Sequence, residues 1–237
     1  VQTCALPILD LFFVLSGFLV SGLLFKEFKQ YGELQPLRFL VRRGLKIYPA
    51  FYVFIAVTLL IKLFQHEYWH RPLLHEAFFI QNYFGGFWSH TWSLAVEEHF
   101  YIFLPLCLVA ILAISQHRKR GGYDAFALLP WISVGLAVVV LSCRIVTAYR
   151  LPFRYCTHDW PTHLRIDSLM FGVLLSYFYH FRGEAFVSFV ERFSIGLALL
   201  AAGGILMICA TPMESSPFLF TVGYSILYLA FGALLLL

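Results

Sequence analysis

The chain has 237 residues, of which 60% are hydrophobic and 19% aromatic while only 13% are charged, and its mean hydropathy is +0.78. A soluble domain carries about 25% charged and about 45–50% apolar residues, so this composition excludes a soluble enzyme, a nucleic-acid-binding domain and a disulfide scaffold, and its aromatic content excludes disorder. It describes an all-α, polytopic membrane protein, in which the net charge of +4 matters through where the basic residues sit.

Residues 1–8, VQTCALPI, match the translation of a sequencing-adapter oligonucleotide and are set aside as a suspected non-native scar. They carry neither a charged n-region nor a cleavage site, so they are not a signal peptide. Residues 9–237 then read as part of a membrane domain. The far end, FGALLLL, stops inside an apolar run, and both ends read as cut. A span needs about 20 mostly apolar residues. Seven segments qualify: 9–25, 47–64, 92–114, 126–149, 164–181, 195–210 and 218–237. Backbone groups in hydrocarbon must pair internally, so these are helices; the alternation of a barrel strand is missing.

Between these spans, Lys26, Lys29, Arg38, Arg42, Arg43, Lys46, Arg118, Lys119, Arg120, Arg182 and Arg192 fall on one side. Lys62, Arg71, Arg144, Arg150, Arg154 and Arg165 fall on the other. The positive-inside rule makes the first side cytoplasmic. The first span then enters from outside, which calls for another span upstream. The outer loops are rich in His and Trp, most of them expected as interfacial belt residues.

Four stretches carry potential chemistry. On a helix, Arg38, Arg42 and Lys46 recur every four residues and share a face, with Arg43 beside it. That face reads either as a headgroup anchor or as a phosphate site, because Arg forks bind phosphate oxygens bidentately. Pro49 follows, where a kink would open a pocket. Next, His66-Glu67-Tyr-Trp-His70 matches the H-E-x-x-H zinc pattern, which needs a helix and a third ligand; His75 or Glu76 is the available third ligand. Pro72 and the loop setting argue against it, and no metal is expected. Third, His90, Ser93, Glu97 and Tyr101 fall on one helical face entering from the outer side, with Glu98 adjacent. Carboxyls in the first turns of a span are costly, although a helix N-terminus favours them, so this face points into the protein. Fourth, Arg165 and Asp167 begin a span; at i, i+2 each faces a different neighbour, and Glu97 or Glu98 is the simplest partner. Of the cysteines, Cys4 lies in the suspected scar and Cys107 in mid-span. Cys143, Cys156 and Cys209 lie toward the outer side, where a disulfide is chemically permitted.

Taken together, Asp10-Leu-Phe-Phe-Val-Leu-Ser16-Gly17-Phe-Leu, Arg42-Arg43 with Tyr48-Pro49, Thr91-Trp-Ser-Leu-Ala-Val-Glu-Glu with Phe100-Tyr101, and Arg165-Ile-Asp-Ser-Leu-Met-Phe-Gly172 resemble the successive signatures of the acyltransferase 3 family. These are bacterial inner-membrane proteins of about ten spans that O-acylate, most often O-acetylate, exported saccharides. The resemblance covers residues 9–181. It implies an acyl-CoA donor, acetyl-CoA foremost, on the cytoplasmic side and a saccharide acceptor reached from the membrane or the outer side. It also implies that Arg38, Arg42, Arg43 and Lys46 hold the CoA phosphates, and that Ser93, Glu97, Tyr101, Arg165 and Asp167 line the transfer cavity. Ser16 and Gly17 match a motif read first as close helix packing and second as catalytic.

One departure stands out. The family's proposed general base is a His on a helix that would precede Asp10, and no His here matches it; by that reading the chain as given is inactive. The alternative is a transporter or flippase for a glycan or lipid-linked substrate, whose buried charges serve passage. The absence of duplicated halves weakens it.

Overall fold

A backbone immersed in hydrocarbon has to satisfy its own hydrogen bonds, and this chain does so with helices alone. The computed structural model describes residues 2–117, 125–210 and 216–237, and no strand occurs among them. The long helices are α1 (Gln2–Tyr31), α2 (Pro36–Phe64), α5 (Trp92–His117), α6 (Leu129–Arg150), α8 (Ile166–Phe181), α10 (Ser194–Ala210) and α11 (Tyr224–Leu236), the last entered through a π-helical turn at Leu219–Gly223. Short helices lie between them: α3 (His70–Ala77), α4 (Gln81–Phe84), α7 (Tyr155–His158) and α9 (Gly183–Arg192), with 3-10 turns at Ser89–Thr91 and Thr162–Leu164.

Local chemistry sets the boundaries. α1 stops where Gly32 takes a φ of 75° and donates its N–H to the Phe28 carbonyl at 2.8 Å, a conformation glycine enters without a Cβ penalty. α2 begins with Pro36 in its first turn, where the missing N–H costs nothing.

Among the described residues, five helical stretches are long and apolar enough to cross a membrane: Ile8–Tyr31, Pro36–Phe64, Ser89–Ser115, Leu129–Arg150 and Leu219–Leu236. The pair Gly183–Arg192 and Ser194–Ile208, bent by 72°, makes a sixth if it is one span. Of the seven apolar segments expected, the one at 164–181 is shorter as a helix. α8 has only 16 residues, because the chain from Thr162 to Arg165 is spent on a 3-10 turn before the helix starts. Arg118, Lys119 and Arg120 of the basic count lie outside the described residues.

The spans are not equivalent. α1 and the stretch through α11 bury 56% and 61% of their apolar windows, whereas α2 and α6 bury 17% and 22%, so the first two form the centre and the second two the periphery. α1 packs most extensively against α8. They run in the same direction, and at their crossing the backbones touch. A Cβ on Gly17 would stand 2.0 Å from the Leu169 carbonyl oxygen, and one on Gly172 would stand 2.1 Å from that of Val14. Small residues give such close approach in lipid, where packing rather than water exclusion holds helices together. Around this crossing Phe13, Val14, Leu169 and Val173 merge with Val96, Phe100 and Leu104 of α5 into one core.

Gly172→Val is therefore expected to cost about 2–3 kcal/mol or more through overpacking against backbone that has no room to move. Gly135→Ala, inside α6 with nothing within 4 Å of its added carbon, is expected to cost nothing and to raise stability by up to about 1 kcal/mol, because glycine weakens a helix interior. Thermal unfolding of both variants in one detergent provides the comparison.

Candidate active site

Three helices bring one polar cluster together. The spacing of four on α5 stacks Tyr101 one turn below Glu97, and the Tyr101 hydroxyl donates to Glu97 Oε2 at 3.0 Å. α1 contributes Ser16, whose Oγ is 2.8 Å from the same phenol oxygen. α2 contributes Arg43, which donates from Nη2 to Tyr101 Oη and lays its guanidinium over the tyrosine ring, 4.1 Å from the centroid. Beside them Tyr48 donates to Glu98 Oε2 at 3.0 Å. Tyr101 is 1% exposed, so these polar groups lean on one another in a medium where unpartnered ones are expensive. Three buried atoms remain without a partner: Glu97 Oε1, Glu98 Oε1 and Arg43 Nε. The cluster thus offers two open acceptors and one open donor.

The second cluster is ionic. Arg165 Nη2 meets Asp10 Oδ2 at 2.8 Å and its Nη1 meets Asp159 Oδ1 at 3.5 Å, while its guanidinium lies 4.0 Å from the centre of the Tyr224 ring. Tyr224 donates to Asp159 Oδ1 at 2.8 Å. Arg144 pairs with Asp167 at 2.6 Å and also donates to the Leu164 carbonyl and to Ser225 Oγ. Both arginines and all three aspartates are buried. Asp159 lies in the connection before α8; burial pushes its carboxyl above the usual aspartate range, against the opposing pull of Arg165 and the Tyr224 hydroxyl. This network ties α1, α6, α8 and α11 to that connection.

A third polar layer closes the loop end. Glu76 on α3 is fully buried and accepts from the Phe87 N–H at 3.1 Å and from Thr91 Oγ1 at 2.8 Å. Burial raises its carboxyl above the ordinary glutamate value, and those two hydrogen bonds lower it less. Asn82 donates to Thr162 Oγ1 at 2.8 Å, and His99 Nδ1 lies 2.7 Å from the same oxygen.

The expected site residues divide accordingly. Glu97 and Tyr101 do share a face and anchor the first cluster. Ser93 does not join them: its hydroxyl donates to the His90 carbonyl at 3.3 Å, at the helix start. Arg165 and Asp167 do face different neighbours, but neither pairs with Glu97 or Glu98; α1 and α6 supply nearer partners. Arg38, Arg42 and Lys46 are exposed on α2, whereas Arg43 turns inward. The H-E-x-x-H pattern is broken by its backbone: α2 ends at Phe64, His66 has a φ of 55°, and Glu67 pairs with Lys62 at 2.5 Å. Among the described residues no group of three or more His, Cys, Asp or Glu is placed to hold a metal. Cys107, Cys143 and Cys156 are free thiols; the Cys209 side chain lies outside the described residues. Sequence reasoning missed Asp159 and Tyr224, weighed Glu76 only as a zinc ligand, and counted Arg144 as a loop charge. The available signal was an arginine two turns inside an apolar segment, which demands a partner.

Comparison with known proteins gives the family. The chain matches the acyltransferase domain family over residues 3–237, and it belongs to that family. It is 30% identical over 185 residues to a Staphylococcus aureus (strain COL) protein provisionally named an O-acetyltransferase. It is also 28% identical over 190 residues to the O-acetyltransferase OatA of S. aureus (strain NCTC 8325). Each alignment covers 71% of this chain and 29% of the relative, so the chain spans under a third of their length. No solved structure matches it.

Two outcomes follow for the buried groups. Arg144→Ala leaves Asp167 uncompensated and is expected to cost about 3–5 kcal/mol, whereas the double replacement Arg144→Met with Asp167→Leu recovers most of it; unfolding curves of the three proteins decide. For Glu76, a raised native pKa means the folded state binds a proton that the unfolded state releases. Stability therefore increases as pH falls from above the native pKa toward the ordinary glutamate value, and is lost as pH rises through the native pKa. Glu76→Gln should flatten that slope in the melting temperature.

Proposed function

We propose that the intact protein is a membrane O-acyltransferase that moves an acyl group, acetyl foremost, from a cytoplasmic acyl-CoA to a hydroxyl of an exported or cell-surface saccharide. The observation that carries this reading is the Ser16–Tyr101–Glu97 chain with the Arg43 guanidinium laid over it, buried where three helices of an acyltransferase-family chain meet. In such a transfer the acceptor hydroxyl attacks the thioester carbonyl and loses its proton to a base. The C–S bond then breaks, and CoA leaves as a thiol. The open acceptor Glu97 Oε1 suits the incoming hydroxyl, and the open donor Arg43 Nε suits the oxygen on which negative charge develops. Tyr101 and Ser16 hold both in place. Outside this cluster, Arg38, Arg42 and Lys46 form an exposed basic face of the kind that binds phosphates. We place the CoA phosphates there, with the basic connections on the cytoplasmic side of a bacterial inner membrane.

This division of labour predicts two kinetic signatures in the full-length protein reconstituted in vesicles. Arg42→Ala with Lys46→Ala is expected to raise the KM for acetyl-CoA, by about 10-fold for each lost charge-assisted phosphate contact. Glu97→Gln and Arg43→Ala are expected to lower kcat by about 100-fold or more while leaving that KM nearly unchanged. An unchanged kcat in both would remove the cluster from the reaction. Retention of glycan translocation with no acyl transfer by the wild type would point to transport instead.

A further inference from the structure

The charges of the ionic cluster do not balance. Arg144 and Arg165 supply two guanidiniums, Asp10, Asp159 and Asp167 supply three carboxyls, and none of the five residues is more than 2% exposed. With every carboxyl ionised, the cluster would hold one negative charge more than its arginines neutralise, cut off from water. An uncompensated buried charge is very costly, and protonating one carboxyl removes it.

The contacts rank the three carboxyls. Asp10 Oδ2 accepts from Arg165 Nη2 at 2.8 Å, and Asp167 Oδ1 accepts from Arg144 Nη2 at 2.6 Å; both are charge-assisted hydrogen bonds that favour the ionised form. Asp167 also stands in the first turn of α8, facing the N–H groups of its own residue and of Ser168, at the helix end that favours an anion. Asp159 has neither advantage. Arg165 Nη1 approaches its Oδ1 only to 3.5 Å and makes no hydrogen bond there. The bond that Oδ1 does accept comes from the neutral Tyr224 phenol, and Oδ2 has no partner at all. No neighbour supplies the missing positive charge. His158 precedes Asp159 in the chain, but burial lowers its imidazole pKa, and Thr157 Oγ1 lies 2.8 Å from its Nδ1. Tyr224 and Tyr228, from α11, bring phenols. Among the described residues no group of three or more His, Cys, Asp or Glu is placed to hold a metal.

We propose that Asp159 binds a proton on Oδ2, that this proton closes the ionic cluster, and that its release to water as pH rises loosens the joint between α1, α8 and α11. Asp10 Oδ1, on the other carboxyl held by Arg165, is an open acceptor beside that same guanidinium. The proposal stands apart from the acyltransferase reading, since it concerns how the bundle is held together. Its sign follows from linkage: a carboxyl that keeps its proton only when folded stabilises the protein at low pH, and the contribution is lost as pH rises through its folded value.

The full-length protein in vesicles is examined by infrared spectroscopy, in which the C=O stretch of a protonated carboxyl is resolved from that of a carboxylate, and by thermal unfolding against pH. Near neutral pH, Asp159→Asn is expected to remove one protonated-carboxyl band. Tyr224→Phe should retain that band at a shifted frequency, because it removes the hydrogen bond to Asp159 Oδ1 and to no other carboxyl of the cluster. Asn has the shape and neutrality of the protonated side chain, so the Asp159→Asn protein should melt close to the wild type near neutral pH. Its melting temperature should then fall less than that of the wild type as the pH is made alkaline. A band that persists in Asp159→Asn, or one that Tyr224→Phe leaves at the same frequency, overturns the assignment of the proton to Asp159. Failure of Asp159→Asn to fold also overturns it, and an alkaline slope equal to that of the wild type overturns the loosening. If sodium in place of choline stabilises the wild type while no band is lost, a metal cation supplies the charge and the proposal fails.

Discussion

The backbone contact between α1 and α8 governs the rest of the structure. At Gly17 and Gly172 the two helices approach until an added carbon would lie about one bond length inside van der Waals contact with the opposing carbonyl. In lipid there is no water to expel, so helices associate through such packing and through polar groups that need each other. Because the helices run in the same direction, closing this contact carries Asp10 to Arg165 at one end. On the same helix it presents Ser16 to Tyr101 of α5. One steric fact thus positions a member of each polar cluster.

The clusters do different physical work. In the ionic one, two guanidiniums face three carboxyls and a phenol, all fully desolvated, and each arginine is held from more than one side. Such an arrangement is costly to assemble and more costly to break, which suits a lock on the order of α1, α6, α8 and α11. The cluster around Tyr101 is built differently. Both clusters leave buried atoms without a partner, Glu97 Oε1, Glu98 Oε1 and Arg43 Nε in the first and Asp10 Oδ1, Asp159 Oδ2, Asp167 Oδ2 and Arg165 Nε in the second. The first, however, joins hydroxyls to a carboxyl under one guanidinium with no direct ion pair, whereas the second is closed by guanidinium–carboxylate pairs. That contrast in composition is the reason for assigning chemistry to the first cluster and architecture to the second.

Much of this was legible from residue order alone. The apolar segments announced the helices, and the spacing of Glu97 and Tyr101 announced a shared face. Arg165 and Asp167, two apart, announced separate partners. What escaped was the identity of those partners. Asp159 stands in a short loop that reads as surface, yet it is drawn inside by Arg165 and Tyr224. Arg144 was grouped with outer-side charges because periodicity says nothing about which neighbour a mid-helix charge will find. Ser93 followed the right spacing and still missed the cluster, since at a helix start its hydroxyl had a nearer backbone acceptor. The zinc-like pattern failed for the opposite reason: the letters were present, but the helix that would align them ends first.

Composition and periodicity by themselves determined the solvent, the helical class and the segments that must be buried in lipid, because those depend on local hydropathy and on each helix satisfying its own backbone. The four motifs also carried the family resemblance, which the comparisons bear out. Tertiary structure alone decided the span lengths, the turning of Arg43 away from its exposed neighbours and the partners that Asp10, Asp159, Asp167, Arg144 and Arg165 find. Those outcomes depend on which helices meet and at what height, and long-range contacts of that kind leave no period in the sequence.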